Sequence, residues 1–234
     1  MSDQSSSKKS LDNNFIDTIN ILSKNKIFYW VCHGTLLGLI RDGDLIPWDN
    51  DIDIAVWDDQ TNKKNIIDIF STAGFIYKDD DTIGSLHFVK SKGKGVDINF
   101  YKDIKPIKSH KPLVGVFWKI PKSKIGSAID MIINNKNYNG QYKLLFSILL
   151  SFKTVIAPIY YILDKLNLIY VMKGYTTPKS LLDDFCYKTF SDVQCRIPSN
   201  ANSILTYIYG EDWREPNQEY NWTVDSSSVL TNKK

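Results

Sequence analysis

Three aspartates at alternating positions, Asp49, Asp51 and Asp53, lead into an apolar, β-branched stretch, Ile52-Asp53-Ile54-Ala55-Val56. No other feature restricts so sharply what this chain can fold into. Residues two apart on an extended strand share a face, so Asp51 and Asp53 point one way while Ile52, Ile54 and Val56 anchor the other side in a core. Carboxylates are rarely buried without a positive partner, and two side by side each raise the other's pKa. An edge strand at the surface tolerates one such residue. The regular apolar face argues against that explanation for the combination. A cation removes the conflict, and magnesium usually takes one or two carboxylates and completes its octahedron with water and phosphate oxygens. The spacing of the three aspartates also matches the first three ligands of a calcium-binding EF-hand loop. That alternative fails, because Ile54 stands where the loop's glycine belongs and Gln60 where its bidentate glutamate belongs.

The surroundings read as phosphate chemistry. Residues 27–32 are aromatic and β-branched, hence a buried strand, and Gly34-Thr35 then turns the chain into a short helix over 36–40. Backbone N–H groups at a helix start hold phosphate, and glycine permits close approach. Gly34 and Thr35 are therefore candidate donor-phosphate binders, although the pair also makes an ordinary turn. Arg41 lies one short helix downstream, and a bidentate guanidinium suits a diphosphate; a salt bridge to Asp42 or Asp44 is the competing reading. Pro47 stops any helix before it. Residues 95–101 alternate, with Val96, Ile98 and Phe100 on one face and Asp97, Asn99 and Tyr101 on the other. Asp97 is thus the candidate third carboxylate, from a neighbouring strand. His33 and His87 read as structural, with His87 in a supporting place beside the site.

The rest of the chain fills in the fold class. Leu11, Phe15, Ile19 and Leu22 recur at helical spacing, and Ile66, Ile67, Ile69 and Phe70 mark a second amphipathic helix within 60–72. Short strands are expected at 75–78, 85–90 and 95–101, the last two joined by the hairpin-like 91–94. Residues 177–187 read as a helix, 193–197 as a strand, and 199–209 as a helix ended by Gly210. The expectation is an α+β fold (mixed α/β), a small mixed sheet flanked by helices with a largely helical insertion and C-terminal part. The expected divisions are flexible tails at 1–10 and 226–234, a catalytic core at 11–105, a mostly helical region at 106–192, and a C-terminal segment at 193–225 that packs on the core.

Composition narrows the function classes. A net charge of +3 with scattered lysines gives no reason to expect nucleic acid. Three cysteines, Cys32, Cys186 and Cys195, with no Cys-x-x-Cys pair, argue against a disulfide framework or a zinc knuckle. The opening MSDQSSSKKS is polar, with no apolar core behind it, so it does not read as a secretory signal. A cytoplasmic or cytosol-facing location is expected. Residues 144–163 are a twenty-residue apolar run broken only by Lys153. The length suits a membrane span, but a central lysine costs about 2.5–3.5 kcal/mol on the insertion scale, and Pro158 adds a kink. Buried or substrate-covering helices are the preferred reading, with contact to a membrane surface as the competitor.

The segment HGTLLGLIRDGDLIPWDNDIDIAV resembles the signature of the LicD family, a branch of the nucleotidyltransferase superfamily that includes fukutin-related proteins. The family pattern runs Gly-Thr-Leu-Leu-Gly, then Arg, then Ile-Pro-Trp-Asp-Asp-Asp-Ile-Asp. Asp97 in Val-Asp-Ile-Asn-Phe-Tyr matches the superfamily's third acidic residue. Arg196-Ile197-Pro198 followed by Tyr209-Gly210-Glu211-Asp212-Trp213 resembles the closing segment. Asn50 departs from the pattern, standing where the family has its middle aspartate.

The resemblance implies a nucleotidyltransferase-like core that transfers a phosphorylated alcohol, such as phosphocholine or ribitol phosphate, from a CDP-activated donor to a glycan hydroxyl. It implies Mg2+ or Mn2+ held by Asp51, Asp53 and Asp97, with Asp97 completing the metal site or accepting the attacking proton. Gly34, Thr35 and Arg41 would steady the donor phosphates, and Asp49 would orient the site. Two alternatives stay open. One is a nucleotidyltransferase that releases pyrophosphate from an NTP; the other is a non-catalytic glycan-pathway protein that keeps the fold.

Overall fold

The computed structural model describes residues 11–78, 84–104, 112–133, 143–166 and 168–231. The expected tail at 1–10 lies outside them. The chain divides into two compact units, one of residues 1–116 with 174–229, the other of 117–173 with 230–234.

The first unit holds the aspartates and is a mixed α+β structure. Helix α1 (Asn13–Lys24) is capped by Asp12, whose carboxylate accepts from the Asn14 N–H, and buries Phe15, Ile19 and Leu22. Strand β1 is shorter than the aromatic run suggests. Only Trp30–Val31 pairs, antiparallel to β2 (Asp51–Trp57). Between them lies α2 (His33–Arg41), longer than expected at both ends. Helix α3 (Lys63–Thr72), capped by Asn62, leads to β3 (Ile76–Lys78), β4 (Ser85–Val89) and the long β5 (Gly95–Ile104).

Strand β5 organises the sheet. One edge pairs parallel with β2 over its first seven residues. The other edge pairs antiparallel with β4 near its start, and the end of β5 pairs antiparallel with β6 (Leu113–Pro121). Strand β3 adds to β4, and the main order runs β1-β2-β5-β6, then β7 (Tyr170–Pro178) and β10 (Val229–Thr231). The regular alternation expected of β5 is present, yet both faces are covered: Asn99 and Tyr101 are as buried as Ile98 and Phe100. The face bearing Asp97 is therefore interior at its C-terminal end.

The 106–192 region is less helical than composition suggests. Strand β6 is built from Val114, Val116, Phe117 and Ile120, and β7 (Tyr170–Pro178) from a Tyr-, Val- and Thr-rich run; both are ordinary strand formers. The helix expected at 177–187 is absent. Pro178 precedes a single 3-10 turn (Lys179–Leu182), and β8 (Phe185–Phe190) then pairs antiparallel with β9 (Val193–Pro198). That hairpin carries Phe185 against Phe28 and Trp30, at 5.2 and 5.3 Å between ring centres. Aromatic packing thus outweighs the weak helical spacing of Leu181, Leu182 and Phe185. Helix α7 (Ala201–Tyr209) ends at Gly210, whose φ of +94° suits glycine alone. The expected C-terminal tail is partly structured: Ser226 and Ser228 are buried, and 229–231 form β10 (Val229–Thr231).

The second unit contains α4 (Lys124–Ile133), α5 (Lys143–Ser151) and α6 (Lys153–Lys165). The apolar run at 144–163 is split at Phe152 into two helices. No helix among the described residues is long and apolar enough to cross a membrane.

Candidate active site

The parallel register of β2 and β5 sets Asp53 level with Asp97, and Asp51 level with Gly95. On the far side of β5, His87 is the cross-strand partner of Asp97, and its Nδ1 lies 2.5 Å from Asp97 Oδ1. Glycine at position 95 makes room for this pair. A Cβ there would stand 2.9 Å from His87 Cε1.

Helix α2 begins directly against β2. The Cys32 N–H donates to the Asp53 carbonyl at 3.2 Å, and the Asp53 N–H donates to Thr35 Oγ1 at 2.8 Å. Thr35, expected to hold donor phosphate, is buried, and its hydroxyl ties the helix start to the strand. Gly34 occupies the point where backbone meets carboxylate. A Cβ on it would sit 2.3 Å from Asp49 Oδ2 and 3.8 Å from Asp53 Oδ2. Asp49 therefore reaches over the helix start into the cluster, although it precedes the strand. Asn50, the departure from the family pattern, is exposed, and its carbonyl accepts from the Gly95 N–H at 3.0 Å.

The electrostatics are those of crowded like charges. Burial, a hydrogen bond to the Asp51 carboxylate and its charge push Asp49 up to about 7. Burial and the charges of Asp51, Asp97 and Asp49 hold Asp53 well above the usual carboxylate range. The Asn99 amide opposes that shift by donating to Asp53 Oδ1 at 3.2 Å. The donors are hard oxygens, which suits magnesium or manganese. Among the described residues no three His, Cys, Asp or Glu side chains form a ready-made metal cage. Two carboxylates would suffice for a magnesium-type site, which draws the rest of its oxygens from water and phosphate.

Lys94, Tyr175 and Tyr209 are residues that sequence reading passed over. Lys94 Nζ donates to the carbonyls of Ile46 and Asp49, pinning the Pro47 corner, and its charge draws Asp49 back down. Nothing about Lys94 in a hairpin connection signals that role. Tyr101 Oη lies 3.1 Å from His33 Nε2, and the Tyr175 ring packs at a tilt against His33 with 4.5 Å between ring centres. Burial lowers the His33 pKa to about 4, so it is a neutral imidazole. Its backbone is left-handed, with φ +47°. Burial, with Asp53 adding to it, also pushes the phenols of Tyr175 and Tyr209 up. Tyr209, the last residue of α7 before Gly210, packs on Tyr220 with 4.9 Å between ring centres. Arg41 is forked onto Asp42, Nε and Nη2 at 2.8 and 2.7 Å, with Trp48 beneath its guanidinium at 6.0 Å.

Residues 26–125 match the family described as LicD/FKTN/FKRP, nucleotidyltransferase domain. Uncharacterized proteins of Rickettsia prowazekii and Rickettsia typhi are each 40% identical, over 60 and 63 residues. The matched segments span 25% and 26% of this chain, and 23% and 20% of those proteins. The ribitol 5-phosphate transferase FKRP of Homo sapiens is 41% identical over 39 residues, which is 17% of this chain and 8% of that protein. Matches to these relatives thus cover less than a quarter of their length. A lincosamide antibiotic adenylyltransferase, LnuA, solved with lincomycin bound, superposes with a TM-score of 0.41 at 10% identity over 82% of each chain.

Proposed function

We propose that the chain, whose residues 26–125 match the LicD/FKTN/FKRP nucleotidyltransferase-domain family, transfers a phosphorylated alcohol from a CDP-activated donor to a glycan hydroxyl. The observation that carries this reading is the parallel β2–β5 register, which sets Asp53 beside Asp97 with Asp51 on the same face. The family description and the ribitol 5-phosphate transferase relative supply the reaction class.

Asp51 and Asp53 would hold Mg2+ or Mn2+, which supplies charge neutralisation at the donor diphosphate. Asp49 is hydrogen-bonded to the Asp51 carboxylate, and Lys94 fixes the corner that presents it. Gly34 leaves the helix start open beside the carboxylates. Arg41, forked onto Asp42, would offer its remaining N–H groups to a donor phosphate. Asp97, oriented by His87, accepts the proton of the attacking hydroxyl. That hydroxyl oxygen bonds to the phosphorus bearing the alcohol, the bridging P–O bond breaks, and CMP leaves. Catalysis comes mainly from positioning and charge neutralisation.

The test is a screen of the purified chain, with magnesium or manganese, against CDP-choline, CDP-ribitol, CDP-glycerol and NTPs. CMP release with a modified acceptor supports the proposal; pyrophosphate release assigns the domain to the NTP reaction instead. Asp51→Asn should reduce turnover at least a hundredfold with an unchanged circular dichroism spectrum, and near-native activity in that variant removes Asp51 from the metal site.

A further inference from the structure

Helix α6 carries its apolar stripe on the outside. Val155, Ile159, Ile162 and Leu166 recur at four, three and four residues, the spacing of one helix face, and are 56–63% exposed. No residue of α6 is fully buried. On α5, Leu144 and Ile148 are likewise exposed, as is Phe152 at the break between the helices. A water-soluble helix normally turns such a stripe inward, and an exposed apolar stripe marks a docking face.

Charge indicates what docks. Residues 117–173 contain eight lysines against two aspartates, a net +6. The whole chain is +3, so everything outside this stretch sums to −3. Lysines stand at the start of α5 (Lys143) and at both ends of α6 (Lys153 and Lys165), and Lys165 lies 5.4 Å over the Tyr161 ring. Aliphatic side chains along one face with lysines at the helix ends are the pattern of helices that lie in a bilayer interface, where lysine stems reach up to the headgroups. A second copy of the chain fits poorly, because it would bring two +6 surfaces together. A span is excluded for the described helices by their length.

We propose that α5 and α6 form a monotopic docking face for an anionic phospholipid membrane. The helices lie in the interface with the 155–159–162–166 stripe among the acyl chains and the lysines at the phosphate level. This inference is independent of the transferase reading.

The test is co-sedimentation of the full chain with phosphatidylcholine vesicles and with vesicles that also contain phosphatidylglycerol. Binding to the anionic vesicles should be at least tenfold tighter and should weaken as salt is raised. Ile159→Glu and Ile162→Glu should each reduce it at least tenfold with unchanged circular dichroism and melting temperature. Ile76→Glu, at an exposed isoleucine in the other unit, should leave it unchanged. Equal sedimentation of the Ile159 and Ile162 variants overturns the proposal. So does a failure of the parent chain to bind either vesicle, whether light scattering then shows a monomer or a dimer that Ile159→Glu dissociates.

Discussion

Asp53 is the residue where function and stability oppose each other most directly. Burial and three neighbouring carboxylates raise its pKa above that of the unfolded chain. Between those two pKa values the folded state binds more protons than the unfolded state, so the group destabilises the fold increasingly as pH rises from about 4. Asp53→Asn keeps an oxygen to accept from Asn99 and removes the charge. The metal-free variant should therefore be more stable than the parent at neutral pH, by about 1 kcal/mol or a melting rise of about 2–4 °C for a chain of this size. The gain should shrink as pH is lowered toward 4. Melting in EDTA across that range checks it; a less stable variant at neutral pH would mean that the cluster is already neutralised by protein groups.

At the scale of elements, helix α2 carries two glycines with opposite jobs. At Gly38 an added Cβ would meet backbone, the Asp44 carbonyl at 2.7 Å and the Ile46 N at 2.9 Å, so the helix would have to move off the Pro47 corner. Gly38→Ala should cost about 1–3 kcal/mol of stability in urea denaturation. At Gly34 the added Cβ meets the free end of the Asp49 side chain instead. Gly34→Ala should leave stability within about 0.5 kcal/mol and, on the proposed reaction, lower turnover at least tenfold, because the carboxylate must swing out of the cluster. The two variants separate packing from chemistry within one short helix. They also mark how much was legible in advance. The alternation of Asp51, Ile52, Asp53 and Ile54 yields strand, face and partner charge, since a period of two is a strong local signal. Asp97 follows from the same signal in β5. Thr35 as a strand–helix tie, Lys94 as a corner pin and Asp49 as a full member of the cluster are not readable, because each depends on a contact made across about 15 to 48 residues. The helix wrongly expected at 177–187 failed for the same reason: Phe185 answers to Phe28 and Trp30, not to its sequence neighbours.

For the molecule as a whole, the cations that the first unit offers near the aspartates are already engaged, Arg41 by Asp42 and Lys94 by the carbonyls of Ile46 and Asp49. A CDP-linked donor is itself anionic, and four carboxylates face the place proposed for its diphosphate. Donor and cluster therefore repel until a divalent cation stands between them. Binding of the two ligands should be strongly coupled, each raising the affinity of the other by the same factor. Thermal melts measure this directly, since a ligand present at a hundred times its Kd adds about 2.7 kcal/mol to stability. For this chain length that is about 5–10 °C. A CDP-alcohol in EDTA should shift the melting temperature by less than about 1 °C, magnesium alone by a little more, and the pair together by the full amount. In Asp51→Asn the joint shift should collapse to the level of magnesium alone. A full shift from the CDP-alcohol in EDTA would place the diphosphate on Arg41 and Lys94 and away from the carboxylates, and the transfer site would have to be redrawn around those two cations.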